Sequence, residues 1–330
     1  MSLDSSSIPE ALPTAVNPVL AEPDSWRRIF VGPSGIRPGW RLALFLIFLV
    51  GLQLLLIQFG LRRIPAARAI AQSSKGGTLT PQFQIMIEGA GIIVVFLATA
   101  IMSRIEKRPF GMYGLDARGA FGRNFWQGIL AGLAFESIEI AVISALGGFS
   151  FGTLALQGSA LVEFAAMWAI AFLLVGILEE SLFRGYAQFT LASGIGFWPA
   201  AILLSILFGA IHISNGGESW VGALSVTLFG LFACFTLRRT GNLWFIVGFH
   251  AATDYAESFI FSTPDSGLLA QGHLLNSSFH GSRWLTGGTV GPEGSVIDFA
   301  LLILLFIVFA RLYPAKGETR GQTERFRGVF

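Results

Sequence analysis

Long apolar runs, broken by short polar connections, dominate the chain. Eight can be read, at about 40–61, 83–103, 124–147, 161–189, 197–213, 219–237, 242–263 and 295–313. Runs of roughly 17–25 apolar residues cross a hydrocarbon core about 30 Å thick as helices. The pattern predicts an all-α, polytopic membrane protein with about eight transmembrane helices. Gly and polar residues interrupt the last five runs, so their ends are less sharply drawn. Between the runs the order is simple. Residues 1–38, with Pro, Ser and acids but no apolar signal core, read as a disordered cytoplasmic tail and not as a secretory signal. Residues 39–158 hold the first three helices and 159–263 a denser core. Residues 264–294 form a polar loop rich in Gly and Ser, with His273 and His280 as solvated side chains. Residues 295–330 carry the last helix and a basic C-terminal tail.

Composition agrees with a bilayer setting. The chain is 53% hydrophobic and 13% charged, with 31 Phe and 40 Gly; a soluble domain carries about twice that charge. Gly scattered through apolar helices allows close helix packing. The single cysteine, Cys234, excludes an internal disulfide and sits in an apolar run. Basic residues divide unevenly if the N-terminus is cytoplasmic and eight crossings follow. The first outer loop and one later loop hold Arg62, Arg63, Arg68, Lys75 and Arg283, and the inner segments hold the rest apart from Arg184. That bias places both termini inside. Neither internal repeats nor a phosphate-binding Gly loop is present, and nothing in the charge pattern suggests a nucleic-acid partner. The expected partners are the lipid bilayer and a peptide or protein substrate.

Against this background the stretch VGILEESLFRGY, residues 175–186, stands out. A charge inside a transmembrane helix costs a few kcal/mol unless partnered, so it marks function by default. Glu179 and Glu180 are adjacent and point about 100° apart on a helix. Glu180 and Arg184 are four apart, acid first, and suit an ion pair. That division leaves Glu179 facing a cavity. Two of the four histidines also fall within apolar runs, His212 four after Phe208 and His250 four before Asp254. Each alone has a bland reading: a helix clamp, a satisfied core histidine, a hydrogen-bonded node. Glu136 and Glu139 read as structural or as lining polar space, and Glu88 and Asp298, near helix starts, as interfacial. Together, Glu179, His212, His250 and Asp254 suffice to activate water, by a carboxylate base with imidazole assistance. They could equally ligate a zinc ion that acidifies a bound water. The spacing does not choose, because no single helix carries an H-E-x-x-H pair.

The three motifs EESLFR (Glu179, Glu180, Arg184), FGAIH (Phe208, His212) and HAATD (His250, Asp254) occur in order on successive helices, over roughly residues 160–260. In this the sequence resembles the CAAX prenyl protease and bacteriocin-processing (CPBP, or Abi) family of intramembrane proteases. The resemblance implies a site sunk in the bilayer and open to the cytosol. It implies that Glu179 activates water with His212 and His250 assisting, while Glu180, Arg184 and Phe208 support the site. It also carries a metalloprotease label, with Zn2+ as candidate cofactor and His212, His250 and Asp254 as candidate ligands; a metal-free glutamate mechanism is the alternative. Asp254 departs from the Asn usual in prenyl-protein processors, which puts a prenylated substrate in question. The expected activity is hydrolysis of a peptide bond in a membrane-associated, prenylated or bacteriocin-like peptide. Competing readings are an ion- or proton-coupled transporter, disfavoured by the lack of a repeated half, and a non-catalytic immunity or scaffold protein.

Overall fold

The computed structural model describes residues 26–33, 35–73 and 78–315. Most of the expected N-terminal tail, Lys75 and most of the basic C-terminal tail lie outside the described residues. Two units divide at Arg37 and Pro38. In the first, one helical turn, Arg27–Phe30 (α1), leads into Val31–Gly32 (β1), which pairs antiparallel with Gly35–Ile36 (β2). This part of the tail is therefore structured where disorder was expected.

The second unit is helical. Its first half contains Pro38–Leu55 (α2), Pro65–Ser73 (α3), Pro81–Glu106 (α4) and Arg123–Ala145 (α5). Gly158–Glu180 (α6) and Ala187–Ile195 (α7) follow, then Phe197–His212 (α8), Trp220–Thr240 (α9) and Trp244–Asp254 (α10). A short turn, Arg283–Thr286 (α11), precedes Val296–Leu312 (α12). Wide π-type turns extend α2 over Leu56–Leu61, α6 over Ser181–Tyr186 and α10 over Tyr255–Ile260. Sequence chemistry sets the helix starts. Thr80 caps α4 ahead of Pro81, accepting from Phe83 N at 3.3 Å, and Ser295 caps α12, accepting from Asp298 N at 3.1 Å.

All eight apolar runs become helices, while length and composition alone do not confirm the expected eight crossings. Among the described residues, five helical spans are long and apolar enough to cross: Pro38–Leu61, Pro81–Glu106, Arg123–Ala145, Gly158–Ile195 and Trp220–Thr240. The other three runs form shorter helices. α8 has 16 residues and α12 has 17, and α10 is only 11 before its π turn. The outward faces are apolar: Phe59, Leu130 and Val162 are 64%, 68% and 68% exposed. Water does not tolerate such faces in quantity, and lipid does. This is an integral membrane protein.

The inner helix is α10, in which every residue from Trp244 to Thr253 is buried. Glycines let it approach its neighbours at backbone contact. A Cβ on Gly128 or Gly132 of α5 would stand 2.0 Å from Phe245 O or 2.5 Å from Phe249 O. Reciprocally, a Cβ on Gly248 would stand 2.3 Å from Phe125 O, and one on Gly176 of α6 would stand 2.9 Å from Val247 O. The small-xxx-small spacing of Gly128 and Gly132 is that of a close membrane-helix contact. Around this seam Phe45, Met102, Phe125, Tyr186, Phe232 and Phe249 fill the largest core cluster.

The polar loop packs onto the helices through short strands. Thr78–Leu79 (β3) pairs with Leu269–Ala270 (β5), and Phe149–Ser150 (β4) with Ser278–Phe279 (β6). Trp168 Nε1 on α6 donates to Gln271 O at 3.0 Å. His273 is half-buried with Nδ1 against Ala270 O at 3.0 Å, while His280 is exposed and meets Ser150 and Ser278.

The glycine seam is open to test. Gly128→Ala should lower stability by about 1–3 kcal/mol, the cost typical of overpacking, whereas Gly51→Ala on α2, where a Cβ meets nothing within 4 Å, should be neutral or slightly stabilising. Thermal unfolding of the detergent-solubilised variants checks this; equal melting temperatures would show that the seam has room.

Candidate functional site

The site begins where α6 ends. Beyond Glu180 the helix opens into the π turn Ser181–Tyr186, in which Gly185 leaves helical geometry (φ −80°, ψ −126°) before α7 resumes. Insertions of this kind commonly re-aim side chains at functional positions. Here the turn carries Arg184 inward. Glu180 and Arg184 are both fully buried, with Arg184 Nη1 donating to Glu180 Oε1 at 3.3 Å. The guanidinium also lies over the Phe208 ring, 4.3 Å from its centroid. On α9, Gly230 leaves the space that Arg184 occupies, since a Cβ there would meet Arg184 Nη2 at 2.5 Å.

Glu180 has a second partner that spacing along the chain did not reveal. His250 Nδ1, 70 positions later, lies 2.9 Å from the same Oε1. A carboxylate at this nitrogen fixes the ring and leaves Nε2 for other work. His250 Nε2 faces Glu179 Oε2 at 3.7 Å and Asp254 Oδ2 at 3.6 Å. The ring packs edge-on against Phe229, centroids 4.8 Å apart. His212 ends α8 with Nδ1 against Phe208 O at 2.7 Å, so its Nε2 is likewise the free nitrogen. Phe208 links the histidines, its ring 4.7 Å from that of His212 and 6.4 Å from that of His250.

Glu179, His212, His250 and Asp254 all line one cavity of about 420 Å³. Glu180 and Arg184 do not line it; they sit behind His250. The structure thus brings together residues separated by up to 75 positions and places the adjacent glutamates in different surroundings. Glu179 has a quarter of its side chain exposed, and Glu180 none.

Several acids that were expected elsewhere also face this cavity. Glu88 and Asp298 are not interfacial: both are buried and both line it, Glu88 accepting from Gln84 Nε2 at 2.9 Å and Asp298 from Ser225 Oγ. Position near a helix start did not tell which way the helix faced. Glu136 lines it too, while Glu139 accepts from Ser295 Oγ at 2.9 Å. Glu257, Asp265 and Glu293 were not anticipated at all. Glu257 was discoverable as a charge inside the seventh apolar run. Asp265 and Glu293 were not, because acids in a polar loop read as solvated. Burial first, then the charges of Asp254 and Glu293, push the Asp265 carboxyl well above the usual range. In the α8–α9 connection burial likewise raises Glu218 to about 7, against the hydrogen bond from Ser219 N.

The proposed zinc ligands can be tested against this geometry. A resident zinc ion draws its donors to about 2.0–2.3 Å and hence within about 4 Å of one another. Among the described residues the only three such side chains with donor atoms within 4.8 Å of one another are Glu257, Asp265 and Glu293. His212, His250 and Asp254 do not form so tight a set. The fit to a His212–His250–Asp254 zinc site is therefore poor in this conformation.

Fold and site define a polytopic helical membrane protein whose carboxylate and imidazole groups meet inside the helices, around one cavity. Residues 161–256, under a third of the chain, match the family model of the type II CAAX prenyl endopeptidases, Rce1-like. The match spans all three motifs and agrees with the resemblance they carry. It supports an intramembrane endopeptidase of CAAX type as the general class of activity. No curated protein and no solved structure matches the chain.

Removing one partner of a buried pair strands the other, at roughly 3–5 kcal/mol. Arg184→Ala should therefore reduce both folded yield and any activity, measured as monodisperse protein after solubilisation. A variant as stable as wild type but inactive would place Arg184 in the chemistry instead.

Proposed function

We propose that the chain hydrolyses a peptide bond in a membrane-associated peptide, with Glu179 as general base. The supporting observation is the 3.7 Å between Glu179 Oε2 and His250 Nε2 at the cavity wall. Two acceptors at that separation share positions at hydrogen-bond distance, about 2.8 Å, from both, and a water there is held for attack. Glu179 takes its proton as the oxygen adds to the scissile carbonyl carbon. His212, with Nδ1–H given to Phe208 O, stabilises the oxyanion as the imidazolium, donating from Nε2–H. The intermediate collapses by breaking the C–N bond, and the proton held on Glu179 passes to the leaving amine. Glu180 orients the His250 ring through Nδ1, and Asp254 faces Nε2 at 3.6 Å beside the water position. A prenylated or bacteriocin-like peptide entering from the cytosolic side, with both chain termini on that side, is the substrate geometry this reading carries. Asp254 in place of Asn favours a substrate other than a prenylated one.

The chemistry needs no metal in this reading. The acid-lined cavity would also suit a proton-coupled transporter, and cleavage assays separate the two.

Glu179→Gln keeps size and polarity but cannot take the proton. It should lower cleavage by about 10²–10⁴ with an unchanged melting temperature, assayed with a peptide library and purified protein in detergent. Wild-type rates in Glu179→Gln would overturn the assignment and bring the transporter and scaffold readings forward.

A further inference from the structure

The cavity contains a second cluster that the hydrolytic reading does not use. Glu257, from the π turn after α10, meets Asp265 and Glu293 of the polar loop, and donor oxygens of all three lie within 4.8 Å of one another. Glu257 is 2% exposed, and its Oε1 is buried without a hydrogen-bond partner. None of the ion pairs among the described residues involves these carboxylates. Three acids gathered without a counter-charge, one with an orphaned oxygen, call for a cation or for protons.

Details of the cluster favour the cation. The other two carboxylates are each held through one oxygen: Ser258 Oγ donates to Asp265 Oδ2 at 3.0 Å, and Ser266 N and Oγ both donate to Glu293 Oε2 at 2.8 Å. Such outer contacts aim ligands at an ion. Gly291 (φ +111°) keeps the neighbouring space clear. A Cβ there would stand 2.8 Å from Glu257 Oε1 and 2.0 Å from Pro264 O, so a backbone carbonyl shares the gap with the orphaned oxygen.

We propose that Glu257, Asp265 and Glu293, with Pro264 O in reach, bind one hard divalent cation of the calcium class. All the donors are oxygens, which suits Ca2+ and not zinc. Calcium–oxygen distances of about 2.3–2.6 Å allow ligand oxygens on opposite sides of the ion to lie roughly 4.6–5.2 Å apart, a span that accommodates all three donors. The ion braces the polar loop against the end of α10, three residues beyond Asp254. This site does not rest on the hydrolytic reading.

The test uses full-length protein in detergent, stripped with a chelator and then titrated with Ca2+ in equilibrium dialysis, with thermal unfolding in parallel. One Ca2+ per chain and a raised melting temperature are expected for wild type and equally for Glu179→Gln, which touches only the hydrolytic centre. Glu257→Gln should abolish binding, and Ser266→Ala should weaken it by about 10–100-fold. Should Glu257→Gln fail to fold, Ser266→Ala and the wild-type titration still decide. No binding by wild type at millimolar Ca2+ would overturn the proposal, as would undiminished binding in Glu257→Gln. A Glu257→Gln variant that melts higher than a wild type indifferent to Ca2+ would identify a proton-sharing cluster instead.

Discussion

The close approach of α10 to α5 and α6 is the constraint on which the site depends. Gly128, Gly132, Gly176 and Gly248 bring backbones to distances that any side chain would prevent. In a bilayer no hydrophobic effect drives helices together, so packing and interhelical hydrogen bonds must hold them. The glycine seam supplies the packing, and the bond from His250 to Glu180 supplies the polar tie. His250 lies two residues beyond Gly248, and Glu179 three beyond Gly176. The seam therefore fixes the imidazole against the glutamates more rigidly than either side chain could alone.

The same arrangement resolves how two adjacent glutamates coexist in a region that disfavours charge. Glu180 is neutralised by Arg184 and bonded by His250, at no exposure. Glu179 keeps a quarter of its side chain open to the cavity and has no basic partner nearer than the His250 ring. Arg184 is itself supported by the Phe208 face and by the space over Gly230. A planar guanidinium suits both contacts, whereas a lysine would satisfy neither the ring nor the carboxylate as well.

How much of this was legible in the sequence depended on the range of each interaction. The Glu180–Arg184 pair lies within one helical turn, and spacing alone indicated it. The apolar runs marked every long helix, because length and composition are local properties. The contact of Glu180 with His250 spans 70 positions and needed the seam, which the scattered glycines hinted at without naming their partners. Composition alone does not fix the crossing number, because short helices such as α8 share the composition of full spans. The inward turn of Glu88 and Asp298 was missed because the amphipathic pattern that tells a helix's facing vanishes when the helix is largely apolar on every side.

Finding Glu257, Asp265 and Glu293 beside the motif residues alters what metal dependence would mean here. The cavity offers two donor sets of different hardness, imidazole with carboxylate on one hand and carboxylates alone on the other. A chelator acts on both. Loss of activity on chelation could therefore follow from a loosened polar loop, with Asp254 displaced along α10, and need not involve a metal at the attacking water. Ion preference separates the origins: oxygen-only sites answer to calcium, and imidazole-containing sites answer to zinc. A response restored by calcium alone belongs to the loop, and leaves the proposed water position between Glu179 and His250 untouched.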